Sequence, residues 1–217
     1  MFSDFYIITM DTKNIFSSHY LAPIEYYFHL INNKAVVIDI YENYVKQTYR
    51  NRCCILSPNG VQNLTIPLVK ARQRNRTKNM KISYDDNWRK IHWKSLEAAY
   101  RSSPYFEYYE DEFYPFYHDK KYEYLTDFNW DLQQKIIELL SIDLHIKKSD
   151  QYITEANLTT DYRNSFSPKI ESKLKFTPYI QVFGDRNGFT PNMSILDLLF
   201  NEGPNSVNYM KELKANV

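Results

Sequence analysis

Apolar positions at the start of the chain follow strand-like and helix-like spacings in turn. Residues 5–10 form a short apolar segment that predicts a first strand, and Ile24–Ile31 has the spacing of an amphipathic helix. Residues 35–38 are continuously apolar and lead into Asp39, as is typical of a strand buried on both faces. The order strand, helix, strand predicts a βαβ unit, with an antiparallel start as the alternative.

A β-hairpin is predicted at residues 52–68. Two strand-like segments, 52–56 and 61–68, flank the sequence Ser-Pro-Asn-Gly at positions 57–60. The proline presets the turn and Gly60 is suited to a positive φ, so the two segments should pair as antiparallel neighbours.

The rest of the chain alternates helix-like and polar segments. One helix is predicted to turn Trp88, Ile91, Leu96 and Ala99 toward the core. Further elements are predicted as a helix over about 127–140, a strand over 144–146, and helices over 191–200 and 206–213.

These elements predict an α/β fold. The sheet should be mixed and mostly parallel, with the hairpin and flanking helices in a Rossmann-like three-layer arrangement; an α+β fold is the alternative. We expect a single domain over residues 1–217, with a polar excursion at about 154–174 and a helical C-terminal segment at about 190–217.

The glycine and histidine content removes several function classes. The chain has 4 glycines among 217 residues and no glycine-rich loop of the Walker or GxGxxG type. Because such loops use several glycines to bring backbone amides onto a phosphate, the usual NTPases and dinucleotide-dependent oxidoreductases are excluded. An anion must then be held by side chains. The 5 histidines have no paired ligand spacing and CxxC is absent, so no zinc site is predicted and any cofactor is unknown.

Charge and hydropathy set further limits. The net charge of +1 creates no overall field that attracts nucleic acid or anionic lipid. No apolar segment approaches the roughly 18 residues of a spanning helix, and residues 1–10 lack the basic and apolar parts of a secretion signal. Cys53 and Cys54 are neighbours that would point to opposite faces of a strand, so we expect free thiols. These features predict a protein of a reducing compartment without a membrane span.

Residues 46–52 form a candidate substrate-binding segment between the buried strand and the hairpin. The segment holds Lys46, Tyr49, Arg50, Asn51 and Arg52. Arginine binds phosphate or carboxylate through two parallel hydrogen bonds, which suits a site that has no glycine loop. The alternative is a solvated strand end whose cations pair with nearby carboxylates.

Three residues are candidate catalytic groups. Asp39 and Glu42 follow a buried strand, where a parallel sheet delivers its reactive groups, and either can accept a proton from a sugar hydroxyl or amine, or bind a divalent metal. Their alternative is a polar strand exit. His19 lies after the first strand, a suitable position for a general base or a phosphate contact. His92 is a candidate substrate contact, although its place on the inward stripe of a helix favours a hydrogen-bonded core histidine.

The basic segment at residues 70–81 has two interpretations. It carries six basic and no acidic side chains, and basic residues with nearby aromatic rings can bind single-stranded nucleic acid. The segment is short, however, and no nucleic-acid motif accompanies it. A loop that closes over an anionic small-molecule substrate, or a solvated loop, is the simpler interpretation.

Five stretches of the chain, taken in their order and spacing, resemble those of a known protein family. They are residues 20–27 (Tyr-Leu-Ala-Pro, then Glu-Tyr-Tyr), 46–52, 64–67 (Leu-Thr-Ile-Pro), 88–106 and 188–204. Together they resemble the WbqC-like family of bacterial proteins over nearly the whole chain. The commoner family opening has Gln-Pro before a Tyr-Leu-Pro-Trp stretch, whereas here Ser18 and His19 precede Tyr20, and Ala22 and Pro23 follow. If this opening, with Tyr20, binds substrate, specificity here should differ.

The resemblance implies a cytoplasmic protein encoded among genes for O-antigen and other surface polysaccharides, without a settled reaction. With the candidate residues it predicts a transferase that modifies a nucleotide-activated sugar. The first alternative is a non-catalytic scaffold of a glycan-assembly complex, for which the aromatic stretch at residues 105–117 would be the contact surface. The second is a nucleic-acid-binding protein that uses residues 70–81.

Overall fold

The computed structural model describes residues 14–33, 35–70, 75–154 and 160–215. Its strands are β1 (Asn14–Ser17), β2 (Ala35–Asp39), β3 (Arg52–Ser57), β4 (Gly60–Thr65), β5 (His145–Lys148), β6 (Thr160–Asp161), β7 (Leu174–Lys175) and β8 (Lys214–Ala215). Its α-helices are α1 (Ile24–Ile31), α2 (Trp88–Tyr100), α3 (Phe106–His118), α4 (Leu125–Leu139), α5 (Gly184–Asn187), α6 (Ile195–Glu202) and α7 (Ser206–Glu212).

The main sheet has four strands in the order β5–β2–β1–β6, and each neighbouring pair is parallel. The remaining strands form two antiparallel pairs, β3 with β4 and β7 with β8. This arrangement confirms the α/β class and the mostly parallel sheet. The strand predicted at residues 5–10 lies outside the described residues.

The βαβ unit is built from β1, α1 and β2. Asn14 pairs with Val36 and Ser17 with Asp39 in parallel register, so the antiparallel alternative is wrong for this pair. Strand β2 is buried along Val36–Asp39 because neighbours cover it on both edges and both faces, as its continuous apolar sequence indicates. Strand β1 has the sequence Asn-Ile-Phe-Ser, which is too short to carry a strand period.

The hairpin is confirmed. Strands β3 and β4 pair from Arg52 with Thr65 to Ser57 with Gly60, and Gly60 adopts φ of 97°, a conformation that suits glycine. Strand β4 ends at Thr65, three residues before the predicted end. Cys53 and Cys54 are both buried and both free, as expected for neighbours on one strand.

Two helix predictions need correction. Ile91 is 58% exposed, because the buried face of α2 continues from Trp88 through His92 and Leu96 rather than through Ile91. Helix α6 begins at Ile195, later than the predicted residue 191, and the hydroxyl of Ser194 caps it by accepting a hydrogen bond from the Leu196 amide.

The polar excursion contains one short strand of the main sheet. Thr160 and Asp161 are exposed and lie beside β1 as β6. No strand is predicted there from the sequence, because a two-residue polar strand has no apolar period. Within the ranges that the structure describes, no helix is both long and apolar enough to cross a membrane.

Candidate functional site

Side chains from three parallel strands meet where the strands end. We call this side of the main sheet the carboxyl edge. Ser17 ends β1, Asp39 ends β2, and Arg163 follows β6 by two residues. In open α/β sheets, ligands bind outside the carboxyl ends of the strands, and this is where the residues predicted from sequence should converge.

Glu42 and Arg50 form a buried ion pair at the carboxyl edge. Arg50 Nε donates to Glu42 Oε1 at 2.8 Å, and Nη2 donates to Oε2 at 2.6 Å. The Glu42 side chain is 7% exposed and the Arg50 side chain is 2% exposed. Burial raises the pKa of Glu42, and the hydrogen bonds and charge of Arg50 oppose that shift. Arg50 Nη1 also contacts the Thr48 hydroxyl, so the guanidinium is used within the protein.

A second buried ion pair joins Arg163 to Asp39. Arg163 Nη1 donates to Asp39 Oδ2 at 2.8 Å, and Arg163 Nη2 donates to Asp161 at 2.6 Å. The other oxygen of Asp39 accepts from the Ser149 hydroxyl and the Tyr41 amide. Hydrogen bonds to Asp161 are the main reason that the pKa of Arg163 is raised. Asp39 is fully buried and is held by three donors.

Ser17 connects the two ion pairs. Its hydroxyl accepts from Arg50 Nη2 at 2.8 Å and lies within hydrogen-bond distance of Glu42 Oε2 and of the Arg163 carbonyl oxygen. Arg50 Nη2 lies 3.2 Å from the same carbonyl. We call Ser17, Asp39, Glu42, Arg50 and Arg163 the edge network. Asp39 and Glu42 therefore both lie at the predicted place, with their oxygens occupied by partners inside the protein.

His19 differs from the edge network in its hydrogen bonding. Among the described residues, neither of its two buried ring nitrogens makes a hydrogen bond. The ring lies among Tyr26, Tyr49 and Phe166 at centroid distances of 5.0, 6.0 and 6.4 Å. Burial, and secondarily the charge of Arg50, lower the pKa of His19 well below its usual value. The imidazole is therefore neutral at pH 7.

The other predicted binding residues divide between core and surface. Tyr20 is fully buried, and its hydroxyl lies 2.9 Å from His92 Nδ1 and 2.8 Å from the Tyr117 hydroxyl. Burial lowers the pKa of His92 to about 4. These contacts are those of a hydrogen-bonded core histidine. Lys46 lies on the surface.

Tyr49 and Asn51 directly precede the hairpin, and Arg52 is the first residue of β3. The Tyr49 carbonyl accepts from the Tyr20 amide, and Asn51 Nδ2 donates to the Ile66 carbonyl at 2.8 Å. Arg52 is half-buried, and its Nε is buried without a partner in the described part of the chain. Arg50 joins the edge network, whereas Arg52 contributes no hydrogen bond to it.

Part of the basic segment is fixed to the carboxyl edge. We call residues 75–78 the strap. The Thr77 amide donates to the Glu42 carbonyl, and the Lys78 amide donates to the Ile40 carbonyl. The strap is therefore bonded to the chain that follows β2, and the described part of the basic segment is not a detached solvated loop.

Sequence reasoning missed Arg163, Ser149 and Asp161. All three lie in or near polar stretches, and Arg163 contacts Asp39 across 124 positions of sequence. The one available signal was the Asp-Tyr-Arg sequence at 161–163, which places a carboxylate and a guanidinium cation on the same side of an extended chain. Within the described ranges, no group of three histidine, cysteine or carboxylate side chains is arranged to hold a metal ion.

A third buried carboxylate, that of Asp197, lies on α6 and is not part of the edge network. Asp197 Oδ2 accepts from the Tyr179 hydroxyl at 2.5 Å and from Gln181 Nε2 at 2.7 Å. We call these three residues the α6 cluster. No described cation forms a salt bridge with Asp197, and burial raises its pKa.

The fold and the site together define an α/β protein with a buried arginine–carboxylate network where its parallel strands end. The WbqC-like protein family matches residues 18–181 and 163–209, so the chain belongs to that family. The chain is also similar to Uncharacterized protein Rv1507c of Mycobacterium tuberculosis (strain ATCC 25618 / H37Rv), with 30% identity over an alignment of 228 positions, gaps included, that covers 91% of this chain and 96% of that protein. No solved structure matches the chain significantly.

Proposed function

We propose that this protein is a cytoplasmic enzyme of bacterial surface-polysaccharide biosynthesis, of the O-antigen or capsule type. It transfers a group to a nucleotide-activated sugar, with His19 as the proton acceptor. Family membership supports the biological setting. The observation that carries the proposal is the buried imidazole of His19, which has no hydrogen-bond partner among the described residues.

An unpaired buried polar group lowers stability, and a catalytic role is one of the reasons for which a native protein keeps such a group. The imidazole of His19 is neutral because its pKa is lowered, and a neutral imidazole can accept a proton from a sugar hydroxyl or amine. The sugar oxygen or nitrogen then bonds to the group carried by a second substrate, the donor, as the bond between that group and its carrier breaks and the carrier leaves with the electron pair. Arg50 lies close enough to influence the pKa of His19, and Glu42 holds Arg50 in place. In this proposal Asp39 and Glu42 act as positioning residues.

Backbone conformation supports the same location. Leu21 and Gln47 have positive φ values of 43° and 60°, although neither is glycine. Each lies in one of the two sequence stretches, 20–27 and 46–52, that contain most of the candidate substrate-binding residues. Strained conformations of this kind raise the free energy by about 1–3 kcal/mol each and concentrate at functional sites. Leu21 is two residues from His19.

The test is binding and turnover of a panel of uridine- and thymidine-diphosphate sugars by the purified protein, each with a set of activated group donors and with and without Mg²⁺. His19→Asn should lower turnover about 100- to 10,000-fold while nucleotide-sugar binding changes little. His29→Asn is the matched control, because His29 is a half-buried histidine that also packs against Phe166. Wild-type protein that neither binds nor converts any of these sugars would refute the proposal.

The pH dependence gives a second readout. The lowered pKa of His19 keeps its imidazole neutral below the usual histidine range, so activity should persist at pH values where an ordinary histidine is protonated. Activity should then fall as the pH drops below that lowered value. An activity loss centred near pH 6.5 would contradict the assignment.

The scaffold alternative has less support. In α3, five aromatic side chains of the predicted contact stretch are buried in the core, whereas Tyr108 and Tyr114 are 75% and 42% exposed. Specific capture of a glycan-assembly protein by wild-type chain, lost in Tyr108→Ser, would favour it over catalysis. Tight, salt-sensitive oligonucleotide binding would favour the nucleic-acid alternative instead.

A further inference from the structure

The strap places two cations at the carboxyl edge that the edge network does not use. Arg76 Nη1 donates to the Tyr41 carbonyl at 2.6 Å, and the Lys78 ammonium lies 3.9 Å from the centre of the Tyr41 ring. Both side chains thus converge on Tyr41, the second residue after β2. Cation–π contacts of this kind hold a charged side chain in one direction without neutralising it.

A second tyrosine extends this arrangement. The Arg76 guanidinium lies 5.0 Å from the centre of the Tyr152 ring, and the Arg163 guanidinium lies 5.5 Å from the same centre. Arg163 is paired with Asp39 and Asp161. Among the described residues, Arg76 and Lys78 form no salt bridge. Among the residues that the structure describes, positive charge without a paired carboxylate is therefore concentrated at the strap.

The backbone fixes this charge relative to the edge network. The amides of Thr77 and Lys78 donate to carbonyls on either side of Tyr41, at distances of 2.9 and 2.8 Å. The first of those carbonyls belongs to Glu42, whose side chain holds Arg50. The strap, the edge network and the neighbourhood of His19 are thus connected through Glu42.

We propose that Arg76 and Lys78 bind the diphosphate group of the activated sugar. This inference rests on the proposed function for the identity of the substrate. A diphosphate carries more than one negative charge and is exposed to solvent in its free form, which matches two unpaired cations at the sheet edge better than it matches the buried and occupied Arg50. Arg50 and Arg52 are the arginines predicted from the sequence to bind phosphate, and in this proposal the strap takes that role.

The test measures binding of inorganic pyrophosphate and of uridine diphosphate to the full chain by calorimetry. Arg76→Ala and Lys78→Ala should each weaken binding about tenfold, and the double variant about a hundredfold. Arg76→Lys should retain part of the affinity. Binding should also weaken as salt rises, since the contacts are exposed charges.

The matched control is the double variant Arg89→Ala/Lys121→Ala. These two cations share the Tyr84 ring at 5.5 and 4.7 Å, so the control removes the same charge from the same kind of contact, but away from any strand of the main sheet. Equal loss of binding in this control would overturn the proposal, as would unchanged binding in Arg76→Ala/Lys78→Ala.

Comparison with His19→Asn separates the two proposals. Pyrophosphate binding that depends on the strap, together with no turnover of any nucleotide sugar, would support the strap and refute the proposed function. Turnover that depends on His19 but not on the strap would support the proposed function and refute the strap as the diphosphate site. An oligonucleotide that binds the strap more tightly than uridine diphosphate would refute the small-molecule assignment.

Discussion

The edge network and the α6 cluster bury carboxylates in two different ways. Glu42 and Asp39 are each bonded to an arginine, whereas Asp197 is held by a tyrosine hydroxyl and an amide. In the first case the charge is compensated, and removal of one partner leaves the other charged and buried. In the second case no compensating charge is present among the described residues, so burial favours the protonated acid. Similar burial therefore has different consequences for mutation, because loss of a partner leaves an uncompensated charge in the edge network but removes only a neutral donor at Asp197.

The largest effect is expected for Glu42→Gln. The substitution leaves the Arg50 guanidinium buried without its counter-charge and should lower the free energy of unfolding by about 3–5 kcal/mol. Urea unfolding measures the change. The double variant Glu42→Met/Arg50→Leu removes both charges and should be less destabilised than Glu42→Gln. A loss below about 1 kcal/mol for Glu42→Gln would remove the distinction between the two regions.

Arg163→Met should come next, with a loss of about 3 kcal/mol, because Asp39 is fully buried and keeps only two neutral donors. The control is Arg101→Met, which breaks partly exposed pairs with Glu97 and Glu110 and should change stability by at most about 1 kcal/mol. Equal losses in the two variants would show that burial does not set the strength of these pairs.

Tyr179→Phe tests the α6 cluster. It removes one of the two donors to Asp197 Oδ2 and should lower the free energy of unfolding by about 1–3 kcal/mol. Tyr108→Phe removes an exposed hydroxyl and serves as the control, with an expected change within about 0.5 kcal/mol. No difference between the two variants would mean that the Asp197 contact contributes nothing.

The smallest change in the free energy of unfolding at neutral pH is expected for Asp197→Asn, and this change should depend on pH. Because the pKa of Asp197 is raised in the folded state, the folded protein holds its proton more tightly than the unfolded chain does. The stability that the raised pKa of Asp197 contributes is complete below the unfolded pKa of about 3.8. This stability is lost as the pH rises through the folded pKa.

The asparagine side chain of this variant has no charge to bury, and its oxygen can still accept hydrogen bonds from Tyr179 and Gln181. The stability of the variant relative to wild type should therefore rise from about pH 4 toward neutral and stay within about 1 kcal/mol of wild type at pH 7. Urea unfolding at several pH values measures the difference. A difference that does not change with pH would contradict the raised pKa.

Sequence predicted the parts of the fold whose signal is local. The apolar run before Asp39 and the turn before Gly60 each specify an element through neighbouring residues, and both are confirmed. Strand β6 and the partners of Asp39 depend on contacts between distant positions, which no local period reveals. For the site, the alternative in which the cations of residues 46–52 pair with nearby carboxylates describes Arg50, which pairs with Glu42. The sequence did not indicate that this pair would be buried rather than solvated.

The loops around the carboxyl edge contain no glycine, since all 4 glycines lie at positions 60, 184, 188 and 203. Glycine-free backbone samples fewer conformations in the unfolded chain, so these loops lose less entropy when they become ordered. The same stiffness limits how far they can adjust around a ligand, and it lowers the entropic cost of binding one that fits. The scarcity of glycine, which excludes phosphate-binding loops, thereby favours a preorganised site with a narrow choice of ligand shape.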